Sequence, residues 1–587
     1  MSKRPFAWEK SYPPTIAWDK PLDITTLPAM FDKAVSTHSL LPAIEFRGKI
    51  IHYRELGAKA VAAAAAFLSL GHDRERPIAL YLPNVPYHPI AFFGGVKMGA
   101  PIVHLSPLDA ERELEHKLRD SGARTIVTTN FANLLPNAVK MLDRGLIDRL
   151  IVGDDAEWGP SPIPLLPIPE RPGVSRFSRL IAEAPKIERW PEIVPEDIAV
   201  LQYTGGTTGK PRAAILTHAN LTAAVDIYEI WFKARPSSPT GHETIIAVLP
   251  FFHIYALTTI LLRHIRNGDL MLLRVKFDVD QTLHDIEVLR ATAFPGVPTM
   301  WIALVNRPDI GKRDLSSLIY CGSGGAPLPV EVETRFQRLT GHRLGGGWGM
   351  TETSPAGTNV PAYGDPPPGT IGLPLPNVEM DISALDDPRR VLAPGEVGEI
   401  RVRGPNVTQG YWRRPQETAG AFADGYFLTG DIGYMDEKGF FFIVDRKKDM
   451  IISGGFNVYP QTIEQAIYEH PSVEEVIVIG VADPYRGETA KAFIKLKPGA
   501  QGFTLEELND FLADKIGRHE MPAQLEFRDA LPRTAVGKLS KVELRQEEKA
   551  KAEHASKGGS AKAAANGWLK RARKWRIPSF WSADRSG

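Results

Sequence analysis

Apolar and polar positions alternate along much of the chain in the rhythm of an α/β protein. Between residues 46 and 200, short apolar runs such as residues 78–82 are separated by amphipathic stretches such as residues 111–119. The same alternation returns between residues 244 and 343, for example at residues 270–273. Because this pattern is typical of parallel strands joined by helices, it predicts two consecutive βα subdomains.

The pattern changes at about residue 369. From there to residue 446, Gly and Pro separate short strand-like runs, which predicts a small β-rich subdomain. Beyond residue 447, helical and strand-like stretches alternate over the length of one small domain. We therefore expect an α/β protein. A large N-terminal domain of two βα parallel-sheet subdomains and a small β-rich subdomain is followed by a small α+β C-terminal domain.

Three regions are expected along the chain. They are a large N-terminal domain at residues 1–446, a small C-terminal domain at residues 447–546, and a flexible tail at residues 547–587. The junction itself is expected between Asp445 and Asp449.

Composition excludes several classes of protein. The chain has 587 residues, 43% hydrophobic and 24% charged, with a formal net charge of +1, which excludes a disordered or fibrous chain. The single cysteine, Cys321, cannot form an internal disulfide, so a reducing cytoplasm is expected. Residues 58–70 are too short to span a membrane, and charged or polar side chains interrupt residues 89–105. Glu9 and Lys10 stand where a secretory signal would need apolar residues.

The tail differs in charge from the rest of the chain. Residues 549–587 hold ten Lys or Arg and two acidic residues, and Trp568, Trp575 and Trp581 lie among the cations. The first interpretation is a solvated, flexible terminus. The second is a segment that rests on anionic lipid and makes the protein peripheral to the inner face of the membrane. Nucleic acid is not an expected partner, because no nucleic-acid motif accompanies the basic tail.

The strongest local signal is a loop of Gly and Thr that follows the apolar run at residues 198–201. It offers bare backbone N–H groups, hydroxyls and cations, which together can wrap a polyphosphate. It is not a Walker loop, since Pro211 replaces the Ser or Thr that would hold magnesium. The candidate phosphate-binding residues are Thr204, Gly205, Gly206, Thr207, Thr208, Gly209 and Lys210.

Two further glycine-rich loops, residues 321–329 and 345–353, follow or interrupt apolar runs, and ligands of open α/β sheets bind at strand ends. Trp348 could pack on a planar base, and Glu352 could hold Mg²⁺ that bridges phosphates. The structural alternatives are a core tryptophan and a helix-capping glutamate. The candidate nucleotide residues here are Gly324, Gly325, Ala326, Pro327, Gly347, Trp348, Gly349, Met350, Thr351 and Glu352.

Three more positions carry candidate chemistry. Asp431 follows a tight turn and could accept hydrogen bonds from ribose hydroxyls, while Arg446 could donate to the same sugar. Lys538 follows Gly537 in a loop, where a surface lysine is the commoner role.

Taken in order, these segments resemble the adenylate-forming superfamily, and within it fatty-acyl-CoA synthetases of the bacterial medium- or long-chain or dicarboxylate (pimelate) type. The resemblance extends from about residue 25 to residue 546. Its seven motifs lie at residues 203–209, 249–257, 347–352, 429–431, 444–451, 453–460 and 532–538.

The resemblance implies an AMP-forming acid–thiol ligase with ATP, Mg²⁺ and CoA, whose small-molecule carboxylic acid substrate is activated as an acyl-adenylate. It implies that Lys538 is the adenylation lysine, that Glu352 and Thr204 hold the metal, and that Lys448 is the hinge of a mobile C-terminal domain. The implied acyl pocket or gate comprises His253, Ile254, Tyr255, Leu257 and Gly322. The implied CoA-facing residues are Ser453, Gly454, Gly455, Phe456 and Asn457.

Some residues depart from the common pattern of the family. Arg212 replaces the usual lysine after the proline, and Ala213 the usual glycine, so we expect the end of the loop to approach phosphate less closely. Trp348 replaces a more usual tyrosine, and Leu257 stands where some relatives carry a gating tryptophan.

Three alternatives stay open at this point. A dicarboxylate or aryl-acid CoA ligase would use the same machinery, with extra donors at the pocket end for a distal carboxylate. An acyl-AMP ligase for a carrier protein usually has an insertion near the domain junction, and residues 444–460 show none. A non-catalytic nucleotide-binding membrane adaptor is disfavoured by the intact Lys538, Glu352, Asp431 and Arg446.

Overall fold

A computed structural model describes residues 4–204, 211–235, 238, 241–326, 328, 330–362, 364–453, 456–483, 486–534 and 539–551. The described residues form two compact units. The first comprises the described residues of 4–448 and 533–534, and the second comprises those of 449–532 and 539–551. In the described part of the chain, no helix has the length and apolar character needed to cross a membrane.

The first unit contains three sheets, whose strands are numbered in chain order. They are β1 Pro42–Phe46, β2 Lys49–His52, β3 Ile78–Leu80, β4 Ile102–His104, β5 Thr125–Thr129, β6 Arg149–Gly153, β7 Val174–Arg176, β8 Ile198–Thr204, β9 Arg212–Thr217, β10 Thr244–Ala247, β11 Leu270–Leu273, β12 Ala293–Gly296, β13 Tyr320–Ser323, β14 Leu344–Trp348, β15 Thr358–Asn359, β16 Leu373–Pro374, β17 Glu379–Ser383, β18 Gly398–Arg403, β19 Phe422–Ala423, β20 Tyr426–Met435 and β21 Phe441–Arg446.

Helices cover or connect these strands. They are α1 Leu27–Thr37, α2 Tyr53–Ser69, α3 Tyr87–Lys97, α4 Glu111–Ser121, α5 Leu135–Asp143, α6 Phe177–Ala182, α7 His218–Phe232, α8 Ile254–Ala256, α9 Arg263–Asn267, α10 Val279–Glu287, α11 Pro298–Val305, α12 Val330–Thr340 and α13 Pro415–Gly420. A π-helical segment, Leu257–Leu262, joins α8 to α9, and 3₁₀ turns lie at Ala7–Ser11, Asp155–Trp158, Ile310–Lys312 and Thr351–Thr353.

Two sheets are mainly parallel, as the βα rhythm predicts. The first has the strand order β7-β6-β5-β3-β4-β8-β9, with only the β8–β9 pair antiparallel. The second has the order β16-β15-β14-β13-β12-β10-β11-β1-β2 and is parallel from β14 to β1. The third sheet, β17 to β21, is antiparallel and forms the β-rich subdomain. The predicted α/β class is therefore confirmed.

The hairpin β1–β2 lies at the start of the first βα region in sequence but belongs to the second sheet. Strand β1 pairs in parallel with β11, with Ile44 opposite Met271. This pairing joins residues far apart in sequence, which local hydrophobic periodicity does not encode.

The alanine-rich stretch at residues 58–70 forms most of α2 and packs on α3. A Cβ at Gly94 of α3 would lie 2.8 Å from the Cβ of Ala63, so the two helices meet through small side chains. Ala60, Ala63 and Ala64 are buried. The run of alanines therefore serves close helix packing inside the protein.

The second unit is built on one mixed sheet. Its strands are β22 Ile451–Ser453, β23 Phe456–Val458, β24 Val473–Asp483, β25 Gly487–Leu496 and β26 Gln524–Phe527, and its helices include α14 Pro460–Tyr468 and α15 Leu505–Leu512. The strand order is β23-β22-β25-β24, with β26 parallel to β25. Val476, Val478 and Ile494 of the sheet share a buried core with Ile467 of α14 and Leu508 of α15.

Candidate active site

The ends of the two parallel sheets meet in the first unit. Strand β8 of the first sheet ends at Thr204, and β14 of the second sheet ends at Trp348, just before the 3₁₀ turn Thr351–Thr353. Both β8 and β9 contact this turn. Ligands of open α/β sheets bind beyond the carboxyl ends of strands, so Thr204 and Glu352 lie on adjoining elements at the expected place.

Glu352 is a buried carboxylate with one oxygen bonded and the other free. The whole residue is only 3% exposed. Its Oε1 accepts a 2.8 Å hydrogen bond from the hydroxyl of Tyr411. Its Oε2 is buried without a hydrogen-bond partner among the described residues. Burial raises the pKa of Glu352, while Tyr411 and Arg212 oppose that rise. A buried anion with a free oxygen needs a compensating cation, so this donor fits a magnesium ion.

Asp431 is the second buried carboxylate of the site. Trp348 Nε1 donates to its Oδ2 at 2.7 Å, and Arg446 Nε lies 2.6 Å from its Oδ1. Asp431 and Arg446 are opposite each other on β20 and β21. Burial raises the pKa of Asp431, and the Arg446 charge and the Trp348 hydrogen bond both lower it. The structure thus brings together the three residues that sequence analysis assigned to the base and the ribose.

Glu399 anchors the segment that leads to Lys448. It is 4% exposed, and its carboxylate accepts from Gly430 N at 2.9 Å and from Lys447 Nζ at 2.9 Å. Lys447 N also donates to the Gly430 carbonyl at 2.8 Å. The turn before Asp431 and the residue before the predicted hinge are therefore held by one buried carboxylate.

Glycine is required at positions 347 and 349 because other backbone atoms approach closely there. A Cβ at Gly349 would lie 1.3 Å from the carbonyl oxygen of Pro355, and one at Gly347 would lie 2.4 Å from that of Thr358. Met350 and Thr351 follow on the same turn, where Met350 N donates to Thr353 Oγ1 at 3.0 Å. Any side chain at Gly349 would displace the turn that carries Glu352.

Two residues of the predicted acyl gate, His253 and Tyr255, line a narrow cavity. Its lining consists of Leu249, Pro250, His253, Tyr255, Ala256, Val297 and Gly325. His253 Nδ1 accepts from Tyr255 N at 3.3 Å and so caps α8, which begins at Ile254. Leu257 is fully buried at the start of the π-helical segment, and such segments are frequent at functional sites.

Tyrosine side chains fill the space beside Gly322, a predicted acyl-gate residue, and Gly324, a predicted nucleotide residue. A Cβ at Gly324 would lie 2.9 Å from the ring of Tyr255, and one at Gly322 would lie 2.5 Å from the Tyr320 hydroxyl. Gly324 N donates to the Gly296 carbonyl at 3.1 Å, which ties the loop to β12. Larger residues at either glycine would push a tyrosine out of place.

The described CoA-facing candidates lie in the second unit. Ser453 is buried on β22, whereas Phe456 and Asn457 are exposed on β23. Phe456 is 61% exposed, and its ring lies 5.3 Å from that of His519.

Several predicted site residues lie outside the described residues. They are Gly205, Gly206, Thr207, Thr208, Gly209, Lys210, Pro327, Gly454, Gly455, Lys538 and residues 552–587 of the tail.

Sequence analysis missed Tyr411 and Glu399. Tyr411 is 3% exposed and is the hydrogen-bond donor to Glu352, while Glu399 holds the turn at Gly430. Tyr411 follows Gly410 in a loop that pairs with β9, where Ala214 is opposite Tyr411. No local pattern in a single sequence distinguishes either residue from an ordinary strand or loop residue.

Known proteins match over nearly the whole chain. The sequence profile of the AMP-binding enzyme family matches residues 31–412, and that of the AMP-binding enzyme C-terminal domain matches residues 462–538. A long-chain-fatty-acid–CoA ligase of Bacillus subtilis (strain 168) is 39% identical over 561 residues, covering 93% of this chain and 99% of the relative. A long-chain-fatty-acid–CoA ligase of Escherichia coli O157:H7 is 36% identical over 564 residues, covering 93% of this chain and 99% of the relative.

Solved structures also match the fold. The crystal structure of ATP-bound MatB from Rhodopseudomonas palustris superposes with a TM-score of 0.79 at 28% sequence identity. The superposition covers 89% of this chain and 98% of MatB.

We predict that Asp431→Asn weakens ATP binding by about tenfold or more, since hydrogen bonds to a charged group are worth about 1.5 to 3 kcal/mol. Titration calorimetry with ATP measures the change. Asp381→Asn is the matched control, because Asp381 pairs with Arg401 at 2.7 Å in the same subdomain but away from Trp348. Equal weakening in both variants would contradict the role of Asp431.

Proposed function

The chain belongs to the AMP-binding enzyme family, and we propose that it is an ATP-dependent ligase that joins a long-chain fatty acid to CoA and releases AMP and pyrophosphate. Matches to two long-chain-fatty-acid–CoA ligases over 93% of the chain support this activity. The resemblance to the adenylate-forming superfamily is thereby confirmed. The observation that carries the proposal is the pair of buried carboxylates beside the end of β14: Glu352, which follows this strand, and Asp431 of β20, which accepts from Trp348.

Asp431 and Trp348 would bind the nucleoside. The Asp431 carboxylate already accepts from Trp348 and pairs with Arg446, so its orientation is fixed before a nucleotide arrives. A carboxylate has about four lone-pair sites, and those left over can accept from ribose hydroxyls. The indole ring is held at the same point and can pack beside the base.

Glu352 and Thr204 would hold Mg²⁺. When bound, the ion neutralises charge on phosphate oxygens and assists the departure of pyrophosphate. The free Oε2 of Glu352 is the described atom that fits this role. The Gly205–Lys210 loop would supply backbone and side-chain donors to the same phosphates.

The chemistry requires that two negatively charged groups come together. The oxygen of the fatty-acid carboxylate attacks the α-phosphorus of ATP, the bond to pyrophosphate breaks, and an acyl-adenylate forms. Lys538 would place a positive charge between the carboxylate and the α-phosphate. In the second step the CoA thiol attacks the acyl carbon and AMP leaves. Ser453, Phe456 and Asn457 would face CoA then, after a movement about Lys448.

The wall of the predicted acyl pocket suits an apolar chain. Leu249, Pro250, Ala256 and Val297 line the cavity beside Tyr255. The pKa of Tyr255 is raised well above its usual value by burial. An apolar, water-poor surface of this kind favours an alkyl chain over a charged group.

The dicarboxylate, aryl-acid and membrane-adaptor alternatives are not favoured. Two long-chain-fatty-acid–CoA ligases match this chain over 93% of its length. The mostly apolar lining of the predicted pocket is also unfavourable for the distal carboxylate of a dicarboxylic acid.

We predict CoA-dependent AMP release with palmitate and other long-chain acids, and about a hundredfold lower kcat/KM with adipate and pimelate. Burying a second unpaired carboxylate in the pocket costs several kcal/mol. A coupled AMP assay with acids from acetate to palmitate measures this. AMP formation only with dicarboxylates would contradict the proposed substrate, and none with any acid would contradict the proposed activity.

We predict that Lys538→Ala lowers ATP–pyrophosphate exchange by at least about a hundredfold, because it removes a charge from the adenylation transition state. Thioester formation from supplied acyl-adenylate and CoA should change little. Lys541→Ala is the control, because Lys541 pairs with Glu464 at 3.0 Å within the second unit. Equal loss of both half-reactions in Lys538→Ala would refute the assignment.

Contact between the basic tail and anionic membrane stays a prediction. If residues 549–587 rest on lipid, their deletion should abolish sedimentation with vesicles that contain anionic lipid and leave binding to neutral vesicles unchanged. Unchanged sedimentation after the deletion would remove the lipid hypothesis.

A further inference from the structure

Two hydrogen bonds in series lead from the end of the phosphate loop to Glu352. Arg212 Nη2 donates to Tyr411 Oη at 2.7 Å, and Tyr411 Oη donates to Glu352 Oε1 at 2.8 Å. Arg212 is the first residue of β9, opposite Thr204 at the end of β8. The series therefore begins beside one predicted metal ligand and ends on the other.

The chemistry of the three groups fixes the direction of both bonds. An arginine guanidinium can only donate, so Tyr411 Oη must accept from Arg212. The tyrosine hydroxyl has one proton, and an ionised carboxylate can only accept, so that proton is donated to Glu352 Oε1. Oε1 is thereby engaged, and Oε2 is left as the free oxygen of the carboxylate.

Neighbouring contacts hold Tyr411 and Arg212 in this arrangement. The Arg212 guanidinium lies 3.7 Å from the centroid of the Tyr411 ring, and its Nη1 pairs with Glu417 at 3.1 Å. The Tyr411 backbone is fixed by its N–H bond to Thr418 Oγ1 at 3.0 Å. A planar guanidinium that stacks on the ring face restrains the tyrosine more effectively than a lysine ammonium group would.

We propose that Arg212 and Tyr411 are positioning residues for the metal-binding carboxylate, which engage Glu352 Oε1 so that Oε2 alone is presented to the magnesium ion. The inference rests on the proposed function, because the ion accompanies ATP. It also gives a reason for the arginine at position 212, where the family usually has lysine. Arg212 acts on the carboxylate through Tyr411, so the end of the loop helps to orient Glu352 as well as supplying a positive charge.

The test compares ATP affinity with and without magnesium in the absence of acid and CoA. Titration calorimetry gives the Kd for ATP in EDTA and in excess Mg²⁺. The Kd in EDTA divided by the Kd in Mg²⁺ measures the contribution of the ion. Tyr411→Phe should lower this ratio by about tenfold or more and leave the Kd in EDTA nearly unchanged. Arg212→Lys should lower it by about threefold, and Arg212→Met by more than Arg212→Lys.

Tyr87→Phe is the matched control. The Tyr87 hydroxyl also donates to a glutamate, Glu157, at 2.9 Å, but it lies away from the site on α3. Its removal should leave the ratio unchanged. Thermal melting of each variant establishes that the protein is folded.

An unchanged ratio in Tyr411→Phe would overturn the inference, and equal weakening of ATP binding with and without Mg²⁺ is one form of that result. The proposed function fails separately, if wild-type protein forms no acyl-CoA with any acid. In that case a selective loss of the magnesium effect in Tyr411→Phe would still support the positioning role. A wild-type ratio of one would overturn the inference even if acyl-CoA is formed.

Discussion

The burial of two carboxylates beside the end of β14 is the constraint on which the site depends. Glu352 and Asp431 are 3% and 1% exposed, and burial raises the pKa of each. A buried carboxylate remains ionised only when donors or cations compensate for the lost water. Asp431 obtains them from Trp348 and Arg446, whereas Glu352 obtains them for one oxygen only. The uncompensated oxygen marks the place where the proposed substrate complex supplies positive charge.

The site forms where the two parallel sheets end next to each other. Thr204 is the last residue of a strand of the first sheet, and Glu352 lies just after a strand of the second. The backbone before the 3₁₀ turn leaves no room for a side chain at Gly349, whose Cβ would lie 1.3 Å from a backbone oxygen. The glycines are therefore needed for tight packing of the turn that carries the carboxylate, and their conformational freedom is a lesser matter.

Much of the fold and the site could be predicted from sequence, for physical reasons that particular residues illustrate. Parallel strands buried on both faces, such as Leu270–Leu273, appear as apolar runs, and the loops that hold phosphate or base need Gly at fixed places. Tyr411 could not be predicted, since its role depends on contacts with Glu352 and Arg212, which are distant in the chain. The same holds for β1, which joins the second sheet through pairing with β11. The roles of the site residues stay predictions, and Lys538 and residues 205–210 also lie outside the described residues.

The central claim is that Glu352 offers one oriented oxygen to the ion that accompanies ATP. The most direct measurement is the anomalous difference density of Mn²⁺ in crystals of the full chain grown with ATP and without acid or CoA. The account predicts Mn²⁺ bonded to Glu352 Oε2, with Oε1 still hydrogen-bonded to Tyr411. Mn²⁺ bound by both oxygens with Tyr411 displaced, or bound at another carboxylate, would contradict it.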